Sequence, residues 1–274
     1  MTFELLSIDK SGFPIRIRRG GLGLTPGVLV QRYKRFLADI QLDSGELITA
    51  HCVNTGRMEG LTRPGLRVWV SPATNPNRKL KYTWELTEVA GEIIGTNTGF
   101  PNGFVKFLLE NNLLSFLPEY HDFKAEVTVA KSHRVDFQLE LEGGKRLLIE
   151  VKNCHLIYPD GIAYFPDSIS ERATKHLQGL VEQIDDSTQC CVLHLCQIPD
   201  VKAVRPSDAH DPVYAATARK NKLKGLNFFG LCLKQTPEEI LVQGLVPVDL
   251  EPYSLANVEK WKLANEAASK KPII

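Results

Sequence analysis

No stretch of the 274-residue chain approaches the roughly 18–20 consecutive apolar residues that a membrane-spanning helix needs. The N-terminal segment carries Glu4, Asp9 and Lys10 where a secretory signal keeps an apolar run, so the expectation is a cytoplasmic protein with no membrane partner. Cysteine is sparse and unpatterned. The six residues Cys52, Cys154, Cys190, Cys191, Cys196 and Cys232 include no C-x-x-C pair, which argues against a thiolate zinc site and against a disulfide framework. They read as small buried hydrophobes in a reducing compartment. Excess charge is nearly absent as well: 33 Lys+Arg against 32 Asp+Glu leave a net of +1, which excludes a chain coated in positive charge to hold nucleic acid in bulk. No internal repeat or low-complexity stretch occurs. With 43% hydrophobic and 24% charged residues, the composition is that of an ordinary globular protein.

What is present is uneven along the chain. Residues 1–88 hold 13 Lys/Arg and 8 Asp/Glu, a net of +5, and the remainder nets −4. Such a split suggests two modules with different tasks. The first third reads as short strands between turn residues: 28–40, 47–53, 67–71 and 81–86, with breaks at Asp43-Ser44-Gly45 and Asn54-Thr55-Gly56. That spacing fits a small antiparallel barrel or sandwich. Trp69 and Trp84 are assigned to its core. After about residue 90 the pattern changes. A helix is expected over 102–113, strands over 125–130 and 134–141, and a turn at Glu142-Gly143-Gly144-Lys145. A strand over 146–152 follows, then a helix from Ser170, a buried strand over 190–196, a helix over 212–224 and a strand over 226–233. The fold class is therefore α+β, an all-β module followed by a mixed α/β one, with the boundary near residues 85–95. Residues 251–274 form an amphipathic tail containing Trp261.

The stretch from Arg134 to Lys152 carries the most chemistry. Two antiparallel strands around Gly143-Gly144 place Asp136 near Glu150 and Lys152, and Glu150 and Lys152 share a face because they are two apart. Leu147, Ile149 and Val151 take the opposite face. Two carboxylates can hold a hard divalent cation through oxygen ligands. Such a cation offsets charge in a phosphodiester transition state and acidifies water, while a lysine orients that water or stabilises developing charge. The spacing D-x(13)-E-x-K resembles the PD-(D/E)XK nuclease superfamily. The order helix, three-strand meander, helix, strand is similar to that superfamily's core. The Glu150/Lys152 pair could also be an ordinary one on the solvent face of an antiparallel strand. The helix from Ser170 offers Arg172, Lys175, His176 and Gln178 as phosphate or water contacts, and Glu126, with Arg134 nearby, is a further candidate carboxylate.

The segments 31–39, 51–58 and 82–86, with Arg78-Lys79, resemble the sugar fermentation stimulation protein (SfsA) family. So do Asn97-Thr98, Pro101-Asn102, Arg134-Val135-Asp136-Phe137, Ile149-Glu150-Val151-Lys152-Asn153, Tyr164-Phe165-Pro166-Asp167 and the run from Glu171 to Leu177. The resemblance covers residues 28–250 in order, with residues 1–25 and the tail past Glu251 as departures. It implies an OB-fold domain over 1–88, a PD-(D/E)XK nuclease-like domain over 89–250, and a DNA-binding cytoplasmic protein. The family's acidic site falls on Asp136 and Glu150, with its lysine at Lys152.

On this basis Asp136 and Glu150, with the Val151 carbonyl, are expected to hold Mg²⁺ or Mn²⁺, and Lys152 to act on the attacking water. Arg32, Lys34, Arg35, Arg57, Arg78, Lys79, Arg172 and His176 are expected to contact DNA, single- or double-stranded, without strong sequence specificity. Two rivals share the fold: a DNA-binding regulator without turnover, and a protein that takes small anionic ligands in the same metal pocket. Homo-oligomerisation is left open.

Overall fold

The structure, a computed structural model, describes residues 2–21, 23–75, 77–130 and 133–268. Two leader strands, β1 (Phe3–Ile8) and β2 (Ile15–Arg19), precede β3 (Thr25–Tyr33), β4 (Leu37–Leu42), β5 (Leu47–His51), β6 (Arg67–Pro72), β7 (Tyr82–Val89) and β8 (Glu92–Gly95). The last six form one sheet in the order β5-β4-β3-β6-β7-β8. A parallel contact between β5 and β7 at His51–Thr83 closes β3–β7 into a five-stranded barrel of OB type. Period-two alternation makes it: Ala38, Ile40 and Leu42 of β4, Ile48 and Ala50 of β5, and Val68 and Val70 of β6 all point inward and are buried.

Two expectations for this module need correction. The segment 28–40 is not one strand but the hairpin β3–β4, in which Tyr33 pairs with Leu37. Lys34 and Arg35 reverse the chain with φ of 49° and 63°, a left-handed turn that suits the twist of paired strands. No glycine or asparagine marks it in the sequence. Trp84 is buried, its Nε1 donating to Leu86 O (3.1 Å) and Thr87 Oγ1 (3.0 Å). Trp69, between buried Val68 and Val70, faces outward instead, with the Arg67 guanidinium 5.9 Å from its ring. Trp84→Ala is therefore expected to cost about 3–5 kcal/mol, against less than about 1 kcal/mol for Trp69→Ala, read as shifts in denaturant midpoint.

The second module comprises α1 (Phe100–Glu110), β9 (Tyr120–Ala130), β10 (His133–Leu141), β11 (Arg146–Cys154), β12 (Leu156–Ile157), β13 (Ile162–Phe165), α2 (Glu171–Val181), β14 (Thr188–Cys196), β15 (Ala203–Pro206), α3 (Pro212–Lys222), β16 (Asn227–Gln235) and β17 (Glu239–Val246). α4 (Ala256–Ala268) follows; residues 269–274 of the expected tail lie outside the described residues. The main sheet runs β1-β2-β17-β16-β14-β11-β10-β9. β9–β10–β11 is the antiparallel meander, and Gly143 and Gly144, at φ 69° and 72°, turn β10 into β11 in a conformation glycine adopts without steric cost. β11, β14 and β16 are parallel, and the connections between them carry α2 and α3. Helix α1 covers one face with Phe104, Val105 and Leu108 against Leu147, Ile149 and Val151. α2 and α3 cover the other with Leu177, Leu180 and Tyr214 against Leu148, Cys190 and Val192.

The leader was expected in the first module, 1–88. Its strands instead extend the second sheet, β2 pairing with β17 and β1 with β2. The alternation of Ile15 and Ile17 with arginines lays both isoleucines on the core against α1, which the barrel offers no place for. β8, beyond residue 88, extends the barrel's sheet by pairing with β7.

The modules share a buried seam. Trp84 and Met58 of the first lie in one apolar cluster with Cys154, Cys196 and Cys232 of the second, and all six cysteines are reduced and buried. Polar groups pin the seam as well. Asp167 Oδ2 accepts the Met58 N–H at 3.0 Å and lies 3.3 Å from His155 Nε2. Burial pushes Asp167 up, but the His155 hydrogen bond and charge and the Met58 N–H outweigh it and hold the carboxyl well below the ordinary range. A depressed carboxylate stabilises the fold above its unfolded pKa, near 3.8, and loses that contribution as pH falls through the folded value. Asp167→Asn is expected to cost about 3 kcal/mol at pH 7. The gap to wild type should close as pH falls below about 4, as followed by urea denaturation.

Candidate phosphodiester site

The three residues of the D-x(13)-E-x-K pattern converge where the meander meets α2. The β10–β11 register ends at Phe137–Ile149, one step short of Asp136. The freed Asp136 side chain turns so that Oδ2 accepts the Val151 N–H at 2.7 Å, while Oδ1 accepts Asn102 Nδ2 at 2.7 Å. Asn102 comes from α1, the helix that follows the barrel. Glu150 and Lys152 do not lie on a solvent face: they are 3% and 9% exposed, beneath α2. Lys152 Nζ donates to Glu150 Oε1 at 2.5 Å, and His176 Nδ1 contacts the same oxygen. His176 reaches it because Ser170 Oγ accepts the Ala173 N–H and starts α2 in the register that aims His176 at β11.

The electrostatics divide the two acids. Burial pushes Asp136 above its ordinary value, and the Glu150 charge pushes it further. Burial acts the same way on Glu150, but the His176 hydrogen bond and the Lys152 charge outweigh it and hold that carboxyl low. Oε1 takes both donors, so Glu150 Oε2 is left buried with no hydrogen-bond partner. A buried carboxylate oxygen without a donor fits a cation ligand. Among the described residues no group of three or more His, Cys, Asp or Glu side chains is arranged to hold a metal, so a cation here would rely on these two carboxylates, main-chain oxygen and water. That suits Mg²⁺, which keeps several waters.

The remaining expected residues scatter. Glu126, at φ 57°, pairs with Arg134 at 2.9 Å on the exposed edge and is no part of the cluster. Arg172 Nε lies 3.4 Å from His176 Nε2 and leads from the site to the surface. Lys175 is exposed beside Glu171. Arg32 is not a free cation: its guanidinium donates to the carbonyls of Arg35, Asn54 and Gly56 and clamps the 54–57 loop to the hairpin. Arg57 pairs with Glu266 of α4 at 2.9 Å. Arg78 is turned inward, with Nη1 on Thr83 Oγ1. Lys34, Arg35 and Lys79 are exposed, and Phe36 beside the first two is 45% exposed.

Sequence reasoning missed Asn102 as a site residue, although Pro101-Asn102 stands among the segments that carry the family resemblance. It also missed His194 and Tyr214, both buried on the Glu150 side of the sheet, whose Nδ1 and hydroxyl have no hydrogen-bond partner. Burial pushes His194 down to about 4, so it is neutral at pH 7.

Comparison with known proteins agrees with this architecture module by module. Residues 30–96 match the "SfsA N-terminal OB domain" and residues 99–239 the "Sugar fermentation stimulation protein RE domain". The chain is 43% identical to the sugar fermentation stimulation protein homolog of Alkalilimnicola ehrlichii, covering 82% of this chain and 96% of that one. It is 42% identical to the homolog of Geobacter metallireducens, covering 83% and 97%. The solved structure of Pyrococcus furiosus SfsA in complex with Ca²⁺ superposes with a TM-score of 0.76 at 23% identity, over 84% of this chain and 98% of that one, and so shares the fold. No helix among the described residues is long and apolar enough to cross a membrane. With both modules matched in order and relatives spanned almost end to end, the chain belongs to the sugar fermentation stimulation protein (SfsA) family.

Proposed function

We propose that this chain is a DNA-binding protein whose second module hydrolyses phosphodiester bonds with a divalent cation, Mg²⁺ or Mn²⁺. The observation that carries the reading is the buried Asp136/Glu150/Lys152 cluster with a partnerless Glu150 Oε2. Asp136 and Glu150, with the Val151 carbonyl, are the ligands; the Ca²⁺ bound by the Pyrococcus furiosus relative supports a hard-cation site. When bound, the cation supplies Lewis-acid neutralisation of the phosphate oxygens.

The chain's own residues do the rest. Asn102 and the Val151 N–H fix the Asp136 carboxylate. Lys152, held by Glu150, orients the attacking water and meets charge developing on the phosphate oxygens. His176 holds Glu150 in place, and Arg172 beyond it offers a phosphate contact toward the surface. Water attacks phosphorus in line and gives up its proton to solvent, one P–O ester bond breaks, and the departing oxygen keeps the electron pair and takes a proton from solvent. On the barrel, the hairpin tip Lys34-Arg35-Phe36 combines two exposed cations with an exposed ring, the pairing that tracks phosphates and stacks on bases. Titrating Mg²⁺ and Mn²⁺ against single- and double-stranded DNA and RNA tests this. Cleavage that EDTA stops supports the reading. Salt-dependent binding with no metal-dependent product would instead establish a non-catalytic DNA-binding regulator.

A further inference from the structure

Between the barrel and α1 lies a cleft of about 690 Å³ that the phosphodiester cluster does not use. One wall is polar. Thr83 and Glu85 are two apart on β7 and share a face. Glu85, 5% exposed, accepts Ser71 Oγ at 2.6 Å on Oε1 and Asn97 Nδ2 at 2.8 Å on Oε2. Each carboxylate oxygen has a second acceptor site to spare. Beside it Arg78 uses Nη1 on Thr83, and its buried Nη2 has no hydrogen-bond partner. The facing wall carries the half-buried rings of Phe3 and Phe107 and the Arg19 guanidinium, which lies 5.4 Å from the buried Phe100 ring. Helix α1 places Gly103 at the cleft, and a Cβ built there meets nothing within 4 Å. Glycine inside a helix is less stable than alanine. At this position it leaves the cleft open.

We propose that this cleft is a base pocket for guanine. Guanine's Watson–Crick edge presents two adjacent donors, N1–H and the N2 amine, which a carboxylate accepts together, next to the O6 acceptor that Arg78 Nη2 can meet. Adenine and cytosine set a ring-nitrogen acceptor beside their amine and would turn it against the Glu85 carboxylate. Uracil flanks its one N–H with two carbonyls. The half-buried rings of Phe3 and Phe107 offer the purine apolar contact. The volume suits a mononucleotide. The base can come from a free guanine nucleotide or from a guanosine splayed out of a bound strand. Cleavage at Asp136 is not required: α1 gives Asn102 to that site and Gly103 to the cleft.

The test titrates the full chain in EDTA with GMP, AMP, CMP and UMP, and with a short oligothymidine with and without one central guanosine. A preference of about tenfold or more for the guanine member is expected in at least one format. Preference for free GMP identifies a nucleotide site; preference confined to the oligonucleotide identifies a base taken from a strand. Glu85→Gln and Gly103→Leu should each abolish the preference, and Gly103→Leu does so by adding a side chain in open space rather than by removing a buried contact. Oligothymidine affinity should stay within about twofold, since backbone contacts dominate it. Equal affinity for all bases in both formats overturns the proposal, as does a preference that Gly103→Leu leaves intact. EDTA keeps cleavage out of the readout, so failure of the phosphodiesterase reading leaves this result interpretable.

Discussion

Asp136→Asn is expected to lower metal-dependent cleavage by about 10³-fold or more, while nucleic-acid affinity in EDTA changes by less than about threefold. The side chain serves two donors, Asn102 Nδ2 and the Val151 N–H. Asparagine keeps one acceptor oxygen, but its amide turns a donor toward the other partner and removes the charge a divalent cation needs. In the metal-free chain Asp136 is disfavoured as an anion, first by burial and then by the Glu150 charge. A cation between the two carboxylates relieves both. Wild type should therefore gain thermal stability when Mg²⁺ or Mn²⁺ is added, by about 2.7 kcal/mol at a hundredfold excess over Kd. The variant should gain little. This melting readout does not depend on turnover, so it separates loss of the cation from loss of chemistry. Full cleavage by Asp136→Asn, or an undiminished metal-induced shift, would sink the assignment.

The same residues show what the sequence makes legible. The Asp136–Glu150 spacing can be read because the Gly143-Gly144 turn and strict alternation leave a single register for the hairpin. The α2 start can be read because Ser170 is a good N-cap. Burial of Glu150 and Lys152 is not legible. On a central strand covered by helices on both faces, the polar pair looks the same as it would on a half-solvated edge. The Lys34-Arg35 reversal carries no turn residue to announce it. The Arg32 clamp depends on carbonyls more than twenty residues away in sequence, brought near only by closure of the barrel. The leader's sheet membership is likewise a long-range pairing, β2 with β17, which local pattern cannot specify.

Lys152→Met should lower the cleavage rate by about 10²–10⁴-fold and yet tighten divalent-cation binding. The two effects have opposite signs because, on the proposed mechanism, Lys152 plays opposite parts before and during reaction. Its ammonium occupies Glu150 Oε1 and its charge reaches Asp136, so in the resting site it competes with a cation for the same carboxylates. On the proposed mechanism it meets charge developing on the phosphate oxygens, while His176 stays on Glu150 Oε1. Methionine keeps most of the stem's volume in a site where Lys152 is 9% exposed, which limits the packing loss. A lysine that merely propped up the fold would lose rate, metal affinity and melting temperature together. Calorimetric titration of Mn²⁺ alongside single-turnover rates separates the cases. Tighter metal with slower chemistry places Lys152 on the reacting atoms; weaker metal with slower chemistry makes it scaffold.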